Sequence, residues 1–435
     1  MDKNQITYLK EIDTQSYQKQ PFGNRDLTSL SRIFFVLWGF PEKTQTFIQR
    51  EMEEMARLGV TVNVLAGSRV SKGAISPTIS SIEDRTIYLD AFPGLILNSI
   101  KYIIDNPKLF FRTLKWSILL PHRTWWHRIR MVAMLIAATA VAKKIEVRGC
   151  VYLHAHFASY HTEWAMCLSR LLEIPYGLTA HATGLWKDRN IIVEKIKNAR
   201  TAITCTNFNV LHMKKLVPEK SSSIHLVHHG LDFNIVNAIY SAFENVRSRW
   251  LAVGRLVPKK GYTHLIRAMA QLREWKIDSH LSILGDGHLR KELQSEIDQL
   301  DLNDCIELFG MVPQDTVWNE MNLCSSLIVP SVEDAHGDID GIPNVILEAM
   351  AMGKPVIGTN ISGIPEVVLH NVTGIIVPTR DFSALAGAMK ELHENPVKAG
   401  LLGKKASEIV KEQFNIRTNT LKQLRHLLEA MNTKD

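Results

Sequence analysis

SLIVPSVEDAHGDIDGIPNVILEAMAMGKPVIGTNISGIP, residues Ser326–Pro365, is the stretch from which the fold can be read. LIVPS reads as a short strand buried on both faces, and a loop rich in Asp, Gly and Glu follows it. Pro343 stands where a helix begins, NVILEAMAM carries small and apolar residues at helical spacing, and Gly353 stops it before PVIGTNISG opens the next strand. A strand, a crossing helix and another strand describe a parallel sheet, with the helix start at the C-terminal edge where open α/β sheets bind ligands. The free N–H groups and positive dipole end at such a start suit an anionic group.

Working outward, the same unit recurs in two sets. RIFFVLWGF, VTVNVLAG, TIYLDAF, VYLHAHF, YGLTAHA, AITCTN and IHLVHHG form the first, from Arg32 onward. RWLAVGRL, HLSILGDG, CIELFG, LIVPS, PVIGTNISG and GIIVP form the second, from Arg249 onward. Each run is almost continuously apolar, as strands covered on both faces require. Between Asp232 and Arg249 the pattern lapses into FNIVNAIYSAFENVRS, which places the join of two doubly wound domains near residue 240. The expected division is a polar N-terminal extension 1–30, an N-terminal domain 31–240, a C-terminal domain 241–414 and a terminal helix 415–435. Leu421, Leu424, Leu427 and Leu428 lie at helical spacing in that helix, which is expected to pack back on the first domain.

A chain of 435 residues with 46% hydrophobic and 22% charged residues has ample material for such domains. Its mean hydropathy of −0.04 excludes a multi-span transporter. Residues 1–30 lack the apolar segment of a secretory signal, so a cytoplasmic location is expected. Five dispersed cysteines with no CxxC pair suggest neither a disulfide framework nor a zinc knuckle. The net charge of +7 is concentrated: Ser99 to Arg148 holds ten basic residues against Asp105 and Glu146.

Chemistry-bearing residues gather at the expected strand ends. In the decisive stretch, Asp340 precedes the helix and Glu348 lies in it, eight residues on. Two carboxylates beside an anion site are acceptable if they take hydrogen bonds from hydroxyls, so the ligand is expected to carry both phosphates and sugar rings. Read singly, Glu348 is equally a solvated helix residue and Asp340 a turn former. In LAVGRLVPKKGYTHLIRAMAQL, Arg255 and Lys260 flank another strand-to-helix turn and could clamp a diphosphate, although a K-K-G turn alone reads more readily as a basic surface loop. Gly254, Gly285 and Gly287 mark strand ends where backbone must approach something closely, but ILGDGHLRKEL lacks the GxGxxG spacing of a nicotinamide site. His154 and His156 share one strand face, yet no third ligand is evident and no metal is expected. His181 ends another strand, where a structural and a functional histidine are equally supported.

Together these segments resemble the retaining glycosyltransferases of family 4, which share the GT-B fold of two Rossmann-like domains facing across a cleft. VGRLVPKKG, ILGDGHLRKEL, LFGMVP and GDIDGIPNVILEAMAMGKPVIGTNISGIPEVV fall in the family's order, and HAHFA and TAHA look like its exopolysaccharide and colanic-acid branch. The resemblance implies that Arg255 and Lys260 hold a donor diphosphate and that backbone amides of Gly341, Ile342 and Asn344 cradle phosphate and sugar. It implies that Glu348 binds the nucleotide ribose, and that Asp340 stands where the first Glu of an E-x7-E motif usually stands, one methylene shorter. His181 matches a histidine close to the donor sugar; the usual aspartate shortly after it is replaced in HATG, and the frequent Gly-Gly after the first strand is Gly39 alone.

The activity implied is metal-independent transfer of a hexose from a nucleotide-diphosphate sugar, with no cofactor and with retention at the anomeric carbon, to a lipid-linked saccharide in cell-surface polysaccharide synthesis. Alternatives are a soluble sucrose- or trehalose-type synthase and a catalytically silent nucleotide-sugar-binding partner. Residues 109–130, LFFRTLKWSILLPHRTWWHRIR, interleave Trp116, Trp125 and Trp126 with cations and could meet an anionic membrane on its inner face, or form a core helix with a snorkelling basic rim. VAMLIAATAVA is too short to span a bilayer, and no nucleic-acid motif accompanies the charge.

Overall fold

The computed structural model describes residues 22–42, 45–70, 76–89, 94–233 and 248–433. All thirteen apolar runs form strands: β1 Ile33–Gly39, β2 Asn63–Ser68, β3 Ile87–Tyr88, β4 Tyr152–His156, β5 Tyr176–Ala180, β6 Ala202–Thr204, β7 Ile224–Leu226, β8 Arg249–Val253, β9 His280–Leu284, β10 Ile306–Gly310, β11 Ser326–Val329, β12 Val356–Thr359 and β13 Gly374–Val377. They make two sheets, β3-β2-β1-β4-β5-β6-β7 and β10-β9-β8-β11-β12-β13. Every pairing between these strands is parallel. In each sheet the order reverses once, between β1 and β4 and between β8 and β11, and a doubly wound sheet opens its ligand crevice at that point.

The chain divides into two compact units: residues 1–205, 210–230 and 416–435, and residues 206–209 and 231–415. The sequence places the join near 240; the division falls at Gly230–Leu231, and most of the expected linker, 234–247, lies outside the described residues.

Alternation along the strands builds a core on each sheet face. In the first unit, Phe34 and Val36 join one cluster with Leu153 and Trp164, whereas Ile33, Phe35 and Leu37 join another with Met52 and Val64. In the second unit, Trp250 and Ala252 face one cluster and Leu251 the other. Successive strand side chains point to opposite faces, so a run apolar at every position fills both layers at once. Trp164 and Trp250 are completely buried, each a site where truncation would cost about 3–5 kcal/mol.

Helices complete the layers. Those used below are α1 Asn24–Leu30, α2 Thr46–Arg57, α3 Leu95–Asp105, α4 Pro107–Leu119, α5 Trp125–Val147, α6 Tyr160–Leu172, α7 Tyr262–Glu274, α8 Asn344–Ala351 and α9 Ile416–Asn432. The polar extension expected over 1–30 is corrected at its end. Residues 24–30 are helical, and Leu30 and Phe22 are buried in the core of the first unit. The terminal helix α9 places Leu421, Leu424 and Leu427 in that same core, and Gln423 donates to the Glu51 carboxylate at 2.7 Å.

Candidate active site

The β8–β11 switch point of the second unit is assembled by backbone first. Gly261, in the turn after β8, has φ 68°, and a Cβ there would lie 2.0 Å from the carbonyl oxygen of Pro330, just past β11. Only glycine permits both the left-handed turn and this approach. The Val332 N–H donates to the Lys259 carbonyl at 2.9 Å and pins the two loops together. The loop after β11 folds on Asp334, whose carboxylate accepts from the N–H groups of His336 and Asp338 at 2.8 and 2.9 Å. Pro343 then caps α8, which ends at Met352 before Gly353 at φ 69°.

This closure brings four charges together. Lys259 Nζ lies 3.1 Å from Asp338 and 3.2 Å from Asp340, and Lys260 Nζ lies 2.7 Å from the other oxygen of Asp340. Burial alone would lower the Lys259 pKa, but Asp340 and Asp338 outweigh it and hold it above the ordinary lysine value. Burial alone would raise Asp340; Lys260 and Lys259 outweigh it and hold its carboxyl below the ordinary range. Two lysines therefore balance two aspartates.

Arg255 is the unmatched cation. It follows β8, is exposed, and its guanidinium makes no hydrogen bond or ion pair among the described residues. Gly341 and Asn344 are half-buried and Ile342 is buried at the start of α8; Glu348 is buried within that helix. The structure thus brings Arg255, Lys260, Asp340 and the α8 start to adjacent strand ends of one sheet.

The strand-end glycines approach the chain itself. A Cβ on Gly285, at φ 137°, would lie 2.0 Å from the Gly254 carbonyl oxygen, and one on Gly287 would lie 2.4 Å from that of Leu256. A Cβ on Gly254 would lie 3.1 Å from Lys260 Cε, so its bareness lets the lysine cross the strand end.

In the first unit His181 follows β5 directly. It is buried between Phe157 and Phe47, with ring centroids at 4.6 and 5.0 Å, and stacks on His229 at 5.2 Å. Burial, reinforced by His229 and His156, holds its pKa well below the ordinary value, so the ring is neutral, and Nε2 has no hydrogen-bond partner among the described residues. His154 Nε2 is 2.8 Å from Thr179 Oγ1, and His156 Nε2 lies 3.4 Å from Glu51.

Sequence reasoning missed four residues here. Lys259 and Asp338 complete the charge cluster. Cys205 and His229 offer ligand atoms within 4.8 Å of those of His181. That spacing is wide for a zinc ion, whose bonds of about 2.0–2.3 Å set tetrahedral ligand atoms roughly 3.5 Å apart. The signal was present: Cys205 follows β6 as His181 follows β5, and His229 comes shortly after β7. A cavity of about 780 Å³ lined by Tyr102, Lys101 and Lys143 lies elsewhere, at the end of α5 that leads into β4, and so on the opposite edge of the sheet from His181.

Residues 243–412 match the family model for glycosyl transferases group 1. The amylovoran biosynthesis glycosyltransferase AmsK of Erwinia amylovora is 26% identical over 92% of this chain and 100% of its own. The putative colanic acid biosynthesis glycosyltransferase WcaL of Escherichia coli is 36% identical over 42% of this chain and 45% of its own. Among solved structures, Anabaena Alr3699/HepE in complex with UDP superposes with a TM-score of 0.66 at 17% identity, over 91% of this chain and 99% of that one. Sucrose-phosphate synthase from Thermosynechococcus elongatus does so at 0.68 and 19%, over 92% and 99%.

Proposed function

We propose that the chain, built on two Rossmann-like units and matching the group 1 glycosyl transferase model over residues 243–412, is a glycosyltransferase that moves a hexose from a nucleotide-diphosphate sugar to a saccharide acceptor in the making of a cell-surface polysaccharide. The observation that carries the donor half is the unmatched Arg255 beside Lys260 and the α8 start. AmsK and WcaL, named for amylovoran and colanic acid biosynthesis, support the polysaccharide half, and the HepE complexes with UDP and UDP-glucose support a nucleotide-sugar donor.

In this reading the bond between the anomeric carbon and the donor phosphate oxygen breaks, and its electron pair goes to the departing diphosphate. Arg255 binds that diphosphate through its planar fork, Lys260 as a point charge, and the amides of Gly341, Ile342 and Asn344 through the helix dipole. Donors aimed at developing charge are worth roughly 3–4 kcal/mol each. The chain's own cations supply this stabilisation without requiring a metal or a cofactor. Glu348 accepts from the ribose hydroxyls and Asp340 from a sugar hydroxyl. We take no side chain as the nucleophile: the acceptor oxygen attacks the face that the diphosphate leaves, its proton passing to the leaving phosphate oxygen and configuration being retained.

The acceptor we propose is a saccharide on a lipid carrier, met at the inner face of the membrane, with residues 109–130 toward anionic headgroups. Product analysis tests the reading. Purified protein with labelled donor and lipid-linked saccharide should give an α-linked product from an α-linked donor; an inverted linkage removes the same-face mechanism, and no transfer with any UDP-, GDP- or ADP-hexose removes the activity.

A further inference from the structure

No helix among the described residues is long and apolar enough to cross a membrane, yet three helices of the first unit carry an exposed apolar face. In α3, Ile96, Leu97, Ile100 and Ile104 are 49–73% exposed, while Ser99 and Tyr102 on the other side are buried. Three of the four recur at every fourth position, a single stripe along the helix. In α4, Phe111 and Leu119 are 60% and 70% exposed opposite buried Phe110, Thr113 and Ser117. At the start of α5, Trp125 and Trp126 stack on each other at 3.8 Å and are about as exposed. The three helices pack on one another, and large apolar side chains this exposed on neighbouring elements mark a surface made to meet something.

The charge beside the patch decides its occupant. Lys101, Lys108, Arg112, Lys115 and Arg128 on these helices and Arg123 in the turn between α4 and α5 are exposed, with Asp105 the one acid between residues 95 and 130; Arg112 also reaches Glu173 at the neighbouring α6 end at 3.0 Å. A second copy of this chain meeting the patch about a two-fold axis would set like charges against like. A bilayer with anionic headgroups takes up aliphatic side chains, indoles and cations together.

We propose that α3, α4 and the first turn of α5 form one monotopic membrane-docking surface, in which the aliphatic stripe of α3 inserts below the headgroups and the cations of α4 and α5 hold the headgroups themselves. The inference rests on the lipid-linked acceptor proposed above and adds α3, which lies outside the basic, Trp-bearing stretch. The surface also stands beside the sheet edge that carries His181. The Arg123 N–H donates to Asn190 at 3.2 Å, and Arg130 of α5 binds Glu163 at 2.6 Å and Asp188 at 3.2 Å. Asp188 and Asn190 belong to the segment that leaves β5 through His181. A saccharide on a bilayer-bound carrier is thereby presented to the C-terminal edge of the first sheet.

The test is co-sedimentation of the full chain with vesicles of phosphatidylcholine alone or with about a third phosphatidylglycerol. The wild type should bind the anionic vesicles and lose binding as salt rises. The double variant Ile96→Glu with Leu97→Glu should bind them at least tenfold more weakly at low salt. The variant Lys108→Gln, Lys115→Gln, Arg128→Gln should lose the preference for anionic lipid while keeping the same melting temperature. Absence of vesicle binding by the wild type overturns the proposal, as does an apolar variant that binds unchanged, or a wild-type dimer that Ile96→Glu with Leu97→Glu dissolves. Vesicle binding is read without transfer, so a chain that docks but transfers nothing defeats the functional reading and leaves this one standing.

Discussion

Lys260 Nζ lies 2.7 Å from a carboxylate oxygen of Asp340, and the other oxygen of the same carboxylate is 3.2 Å from Lys259. Asp340 neutralises both lysines, and in the proposed reading it also offers lone pairs to a sugar hydroxyl. Asp340→Asn leaves two lysines to share Asp338. The expected result is a loss of about 1–3 kcal/mol in stability of the second unit and roughly a hundredfold loss of transfer. Asp340→Glu keeps the charge and should stay within about 1.5 kcal/mol of the parent while changing the donor KM. Urea unfolding and steady-state kinetics read both.

Arg255→Ala separates binding from folding. The side chain is exposed and touches no partner among the described residues, so stability should move by no more than about 0.5 kcal/mol. Nucleoside diphosphate affinity should fall about 10- to 100-fold, equivalent to a charged hydrogen bond of roughly 1.5–3 kcal/mol. Arg255→Lys should recover only part of it, because an ammonium lacks the planar fork. Unchanged affinity in Arg255→Ala removes this residue from the site.

Acid should weaken the first unit more than the second. Burial holds His161 at about 3 and His229 at about 4, and it holds His154 and His181 well below the ordinary value. These folded values are depressed below the unfolded value of about 6.5, so the unfolded chain binds more protons in that window. Stability from these groups is complete above pH 6.5 and is lost as pH falls toward about 4. Limited proteolysis at pH 7.5 and pH 5 should show cleavage sites opening in residues 94–233 first. Equal opening in residues 248–412 would contradict the assignment. The neutral His181 also leaves the rate without an inflection near pH 6.5 of its own.

Truncation within α9 tests whether the terminal helix is integral to the first unit. Leu424 is fully buried in the cluster of Phe35, Met52 and Val64. Leu424→Ala should cost about 2–5 kcal/mol, read as a lower melting temperature of that unit.

The fold was legible because buried strands are apolar at every position and because Pro343 and Gly353 punctuate α8, signals that survive without tertiary context. The helix at 24–30 was hidden because Phe22, Leu27 and Leu30 are its few apolar anchors in a polar stretch. The ion pair of Lys259 with Asp338 spans 79 positions and exists only once two loops close. Gly285 and Gly287 advertised a close approach but not its partner, which is the carbonyl of Gly254 for one and of Leu256 for the other. The α3 stripe escaped notice because apolar residues at helical spacing read as core until a face is found without a cover.

In the proposed reading the β8–β11 switch point holds a nucleoside diphosphate. Calorimetric titration of UDP, GDP and ADP into the wild type and into Arg255→Ala with Lys260→Ala decides this. One nucleotide should bind the wild type in a 1:1 ratio and bind the double variant at least a hundredfold more weakly, with both proteins folded. Equal affinity for the two would contradict the account.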